Sequence, residues 1–192
     1  MKLYISNMCH AGYIHKHTQN CPYHHPFVFT CFLEDDFVSF VEDFKTLDFS
    51  KYRKLHYNSS KVYDHRDVYS WDALNKLLNI QTENTPVIEF ENGVQISYPH
   101  IQYDSFDEKY ETRLKRFLQI PDKEICFIFR VRSFMSKKAV DRFYNTKYNK
   151  IILFDGNVPF KDEYKENELT RILITYSEHD DLINELKKKN II

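Results

Sequence analysis

At 192 residues with a net charge of −1, the chain is long enough for one domain with a full core, and nothing in its charge draws it to nucleic acid or an anionic membrane. Its 42% hydrophobic and 29% charged residues are those of an ordinary globular protein, and with only 3 Gly each glycine is informative about local packing. No apolar stretch approaches the ~20 residues that span a bilayer, and polar Ser6 and Asn7 break the N-terminus before a signal sequence can form, so a cytoplasmic location with reduced thiols is expected.

In chain order, the apolar run from Lys2 to Ser6 predicts a first strand, and Phe27 to Phe32 a second. Behind the acidic start Glu34-Asp35-Asp36, the residues Phe37, Phe40, Val41 and Phe44 recur at helical spacing, which predicts a helix over 34–44. The stretch from Asp48 to Tyr69 is poorly periodic and reads as a long loop or lid, followed by a short helix from Trp71 to Leu78. Pro86 to Tyr98 reads as a hairpin, with two alternating segments around Asn92-Gly93 as a two-residue turn. Ser105 and Glu108 have the spacing of a capping box opening a helix through Phe117. Strands are then expected at Ile125 to Val131, Ile151 to Phe154 and Arg171 to Thr175, with helices at Ser136 to Tyr144 and Asp181 to Lys188. Strands alternating with helices imply one α/β domain over 1–192. The expected fold is a mainly parallel sheet flanked by helices, Rossmann-like and three-layered, with the β-hairpin inserted.

Chemistry in such a sheet gathers beyond the carboxyl ends of its strands. Cys9 stands there after the first strand, where a helix would begin, and a helix N-terminus favours the thiolate. Asn7, His10 and Gly12 surround it, and the small residues would let a backbone or ligand approach. Cys31 and Cys126 lie inside apolar runs and read as core residues. A thiol nucleophile needs a base, and His100, between the hairpin and the capped helix, is the candidate, oriented by Asp104 or Asp107. Arg130 and Arg132 alternate at a strand end and could fork onto the phosphate of an anionic ligand. The dense run of Cys9, His10, His15, His17, Cys21, His24 and His25 raises a structural zinc site as an alternative. It lacks a standard ligand spacing, so solvated histidines at a pocket mouth are expected and no bound metal. Gly-x-Gly-x-x-Gly, P-loop and Gly-x-Ser-x-Gly motifs are missing from the sequence.

Several of these segments, in the same order, resemble the DUF1919 family of exopolysaccharide and capsular polysaccharide biosynthesis-type proteins. Ile5-Ser6-Asn7-Met8-Cys9-His10-Ala11-Gly12 is similar to its Cys-containing opening, and Tyr23-His24-His25-Pro26-Phe27 to its Pro-Phe step. Pro99-His100 stands where the family has its histidine, Arg113 and Arg116 echo its paired basic residues, and Lys147 to Phe154 is similar to its Asn-Lys strand. The resemblance implies a Cys9–His100 site in a polysaccharide-modifying protein. A related likeness to capsular acetyltransferases implies coenzyme A as acyl donor and a sugar or polysaccharide as acceptor. The expected function is therefore a Cys–His acyltransferase. The alternatives are a thiol hydrolase with the same dyad, a non-catalytic glycan-binding protein whose tyrosines stack on sugars, and the zinc module.

Overall fold

A computed structural model describes residues 2–8, 10–17, 25–61, 84–175 and 180–191. Its elements in order are β1 (Leu3–Ser6), α1 (His10–His17), β2 (Cys31–Phe32), α2 (Glu34–Glu42), β3 (Tyr52–His56), β4 (Pro86–Phe90), β5 (Gln95–Ser97), α3 (Phe106–Phe117), β6 (Ile125–Val131), α4 (Lys137–Tyr144), β7 (Asn149–Asp155), β8 (Thr170–Thr175) and α5 (Asp180–Lys188). They form a mixed α/β fold with two sheets. One is four-stranded and parallel in the order β1-β6-β7-β8; the other is four-stranded and antiparallel in the order β2-β5-β4-β3.

Alternation along the central strands sorts side chains onto the two faces of the parallel sheet. Tyr4, Cys126, Ile128, Ile151, Leu153 and Leu173 pack with Ala11 and Ile14 of α1 and with Ile183 and Leu186 of α5. On the opposite face, Leu3, Ile5, Phe127, Phe129, Ile152 and Phe154 meet α2, α3, α4 and the inner face of the antiparallel sheet in a larger, aromatic core. Phe37, Phe40 and Phe44 of the α2 region interlock there with Phe127 at ring separations of 6.5, 6.5 and 5.0 Å. The helical spacing read in the sequence thus faces the core.

Several expectations change. The hairpin is no isolated insertion, because β2 and β3 pair with its outer sides to complete the second sheet. Its turn spans Glu91-Asn92-Gly93: Gly93 N–H bonds to Phe90 O at 2.9 Å and Phe90 N–H to Val94 O at 3.0 Å, with Gly93 at φ +81°. That is a three-residue loop closed by a left-handed glycine, not a two-residue turn. Tyr52 to His56 forms strand β3 inside the stretch read as a loop, while 62–69 and the helix expected at Trp71 to Leu78 lie outside the described residues. Phe27 to Phe32 is a turn followed by the short β2. Ser105 makes no capping bond to α3; its hydroxyl donates instead to Gln102 O at 3.4 Å. Ser136 does cap α4, accepting from Ala139 N–H at 3.2 Å, and buried Lys150 donates to the Tyr144 carbonyl at 3.0 Å and to that of Thr146 beyond the helix end.

The outer edge of β8 is occupied by side chains. Asn167 Oδ1 accepts the Thr170 N–H at 2.9 Å, and Glu166 accepts the Ile172 N–H at 3.0 Å. Lys189 donates to the Ile172 carbonyl at 2.9 Å and pairs with Glu166 at 2.8 Å. Among the described residues no helix is long and apolar enough to cross a membrane.

Candidate functional site

The carboxyl end of β1 is held by Asn7. Its side-chain amide donates to the Arg130 carbonyl at 3.0 Å and accepts the Arg130 N–H at 2.9 Å, as one more residue of β1 would. Its own N–H reaches Ile128 O at 3.2 Å and its carbonyl takes the Phe32 N–H at 3.0 Å, so one residue ties β1, β6 and β2 together. At 0% exposure with both amide groups engaged, Asn7 shapes the turn that leads to α1. Predicted to contact a ligand, it holds the strand ends together in the fold.

Helix α1 starts at His10, directly after Cys9 in the chain. Cys9 itself, predicted as the nucleophile, lies outside the described residues, as does the His10 side chain. Gly12 sits on α1 under the ring of Phe29, and a methyl group there would collide with that ring. Gly12, expected as a place of close approach, admits an aromatic ring. Phe29 has φ +54°, a left-handed conformation uncommon for a bulky side chain. Its ring also meets His100 edge-to-face, with centroids 5.3 Å apart at 66°. His100 is exposed in the turn after β5, where Ile101 N–H bonds to Tyr98 O at 3.1 Å. Thus Gly12 and His100, far apart in sequence, meet through Phe29. Asp104 is exposed in the single helical turn that precedes α3, and Asp107 accepts from the Tyr52 hydroxyl at 3.0 Å and pairs with Lys54.

Arg130 is expected from the sequence to meet a ligand's phosphate. Its side chain is 6% exposed and its Nε donates to Asp155 Oδ1 at 2.9 Å, joining the ends of β6 and β7. Its charge is thereby matched within the fold, and Arg132 is the other arginine expected at a phosphate. That residue is half-buried in the turn after β6, its carbonyl taking the Met135 N–H at 3.0 Å.

His15 and His25 were expected to be solvated, yet both are 1% exposed. Their Nε2 atoms are 3.1 Å apart, and His15 Nε2 is 3.2 Å from the Tyr4 carbonyl. The Phe27 N–H donates to His25 Nδ1 at 3.2 Å, so His25 carries its proton on Nε2. That nitrogen is then a donor towards His15, and in this tautomer it has no lone pair for a metal. Burial pushes both imidazoles down from their ordinary range, His25 furthest, helped by the nearby charge of Arg113. Among the described residues, no group of three or more His, Cys, Asp or Glu is arranged to hold a metal ion. Cys31 and Cys126 are buried as expected, and burial pushes the Cys126 thiol up to about 12.

The contact made by Phe29, the pairing of Arg130 with Asp155 and the His15–His25 pair were not legible in the sequence. The scarcity of glycine pointed to Gly12 but not to the residue that packs on it. Clefts of about 500 Å³ beside β3 and β4, and about 440 Å³ between the ends of α2 and α3, are lined by none of the predicted site residues. The chain matches no family model, no curated protein and no solved structure.

Proposed function

We propose that the protein is a thiol acyltransferase that modifies a surface polysaccharide or its sugar precursor, with Cys9 as nucleophile and His100 as general base. One observation carries this reading: through Phe29, His100 is anchored to Gly12 on the helix whose first residue follows Cys9. The resemblance to the DUF1919 family supplies the substrate class, and a Rossmann-like layering around the parallel sheet is the finer reading of the fold.

In the first half-reaction His100 takes the thiol proton and the Cys9 sulfur attacks the acyl thioester. The acyl–sulfur bond to the donor breaks, and the leaving thiolate, such as that of coenzyme A, recovers the proton from His100. In the second, His100 takes the proton of a sugar hydroxyl whose oxygen attacks the acyl-Cys9, and the Cys9 thiolate leaves and is reprotonated. The N–H groups of His10 and Ala11, at the start of α1, would face the developing oxyanion. Arg132, with Arg130 balanced by Asp155, would meet the donor phosphate.

Labelling with a thiol-reactive probe at neutral pH, followed by peptide mass analysis, tests the reading. Cys9 is expected to react at least about 100-fold faster than buried Cys126, with His100→Ala slowing it, and acetyl-coenzyme A is expected to leave an acyl group on Cys9. Equal labelling of Cys9 and Cys126, or an unchanged rate in His100→Ala, would overturn it.

A further inference from the structure

Phe29 stands in a turn whose neighbours are all tied down. Phe27 N–H bonds to the His25 ring at 3.2 Å, Thr30 Oγ1 donates to Phe27 O at 3.1 Å, and the Phe27 ring is fully buried against Phe40, Phe49 and Phe117. Two residues on, the chain enters β2, which pairs with β5, the strand that leads to His100. Between these anchors Phe29 is held at φ +54°, where a bulky L-residue is disfavoured by about 1–2 kcal/mol relative to the right-handed regions. The conformation sends its ring away from the aromatic core and against α1. The ring fits there because Gly12 has no side chain; any larger residue would collide with it. The half-buried ring also meets the exposed imidazole of His100, with centroids 5.3 Å apart.

We infer that Phe29 is the positioning residue for His100: its left-handed backbone and the gap at Gly12 set the ring that seats the imidazole beside the amino-terminal part of α1. The inference rests on the reading of His100 as the general base. Phe29 acts through the histidine. A general base must sit within hydrogen-bond reach of its proton, and a displacement of about 1 Å can cost about 100-fold in rate. An edge-to-face aromatic contact supplies that restraint.

The test begins with wild-type protein by NMR. Cross-relaxation between the ring protons of Phe29 and His100, together with an upfield ring-current shift of the His100 protons, is expected; absence of both overturns the inference whatever the activity. Phe29→Leu is then expected to remove the ring-current shift and lower kcat for acyl transfer about 10- to 100-fold with KM little changed. Phe29→Tyr, which keeps the ring, restores both. Gly12→Ala, which displaces the ring, reproduces the Phe29→Leu result. A folded Phe29→Leu protein with wild-type kcat overturns the inference while leaving the acyltransferase reading intact. If wild-type Cys9 accepts no acyl group, the acyltransferase reading fails, and the ring contact still reports whether Phe29 seats His100. Should Phe29→Leu fail to fold, the wild-type NMR contact and the Tyr variant decide.

Discussion

His25 accepts the Phe27 N–H on Nδ1 and turns its own N–H towards His15, so neither ring has room for a second proton. A proton on His25 Nδ1 would oppose an N–H, and one on His15 Nε2 would oppose the N–H of His25. Both groups therefore take up a proton less readily in the fold than in the unfolded chain, where they titrate near the ordinary value of 6.5. Below that value the unfolded chain binds more protons than the native state. Stability is thus full above the ordinary value and is lost as the pH falls through it towards the native values. For each fully neutral histidine the slope approaches about 1.4 kcal/mol per pH unit. Urea unfolding at about pH 7.5 and about pH 5.5 should show the loss, with a shallower dependence in His25→Gln. Identical slopes in the two proteins would show that the pair does not carry it. The pairing was not legible in the sequence, because His25 becomes a core residue through a backbone N–H two residues on.

Elements with strong local rules were legible. Strand β6 spans the predicted residues without change, and Ser136 caps α4 as its sequence suggests. Elements decided by pairing were not. In β3, Tyr52-Arg53-Lys54-Leu55-His56 has no clean apolar alternation because it is an outer strand, half exposed, whose partner β4 defines it. At Ser105 a preceding helical turn draws the hydroxyl back to Gln102, and the capping geometry is lost. The hairpin was recognised from Asn92-Gly93, but the loop length is set by Gly93, the residue that takes positive φ. Space around Gly93 is open, with no atom within 4 Å of an added methyl group, so any cost of Gly93→Ala is conformational. Chemical denaturation should find that variant about 1 kcal/mol less stable. No loss would mean that the left-handed turn is not maintained in solution.

At the level of the whole molecule, the parallel sheet and its flanking helices could be read from alternating strands and helices. The second sheet could not, because β2 contributes only two residues and β3 lacks a pattern. The two sheets share the larger core, and Asn7 links them at the edge where the predicted chemistry lies. The site was legible as residue types, Gly12 and His100, and illegible as a contact, since Phe29 joins them from a turn that reads as a strand. Arg130 was placed at the right strand end, but its partner Asp155 comes from a strand later in the chain.

The border formed by Asn167, Glu166 and Lys189 leaves part of the β8 edge closed to a second molecule. An open strand is a template on which a second molecule can add its own strand, and repetition leads to filaments and precipitate. Here the Thr170 and Ile172 amides and the Ile172 carbonyl are already satisfied, while Ile174 beyond them is 38% exposed and sticky. Glu166→Ala combined with Lys189→Ala should therefore yield a protein that remains folded yet grows into larger species by sedimentation velocity as concentration rises. A double variant that sediments as the parent does would mean that this border is not what keeps neighbouring molecules apart.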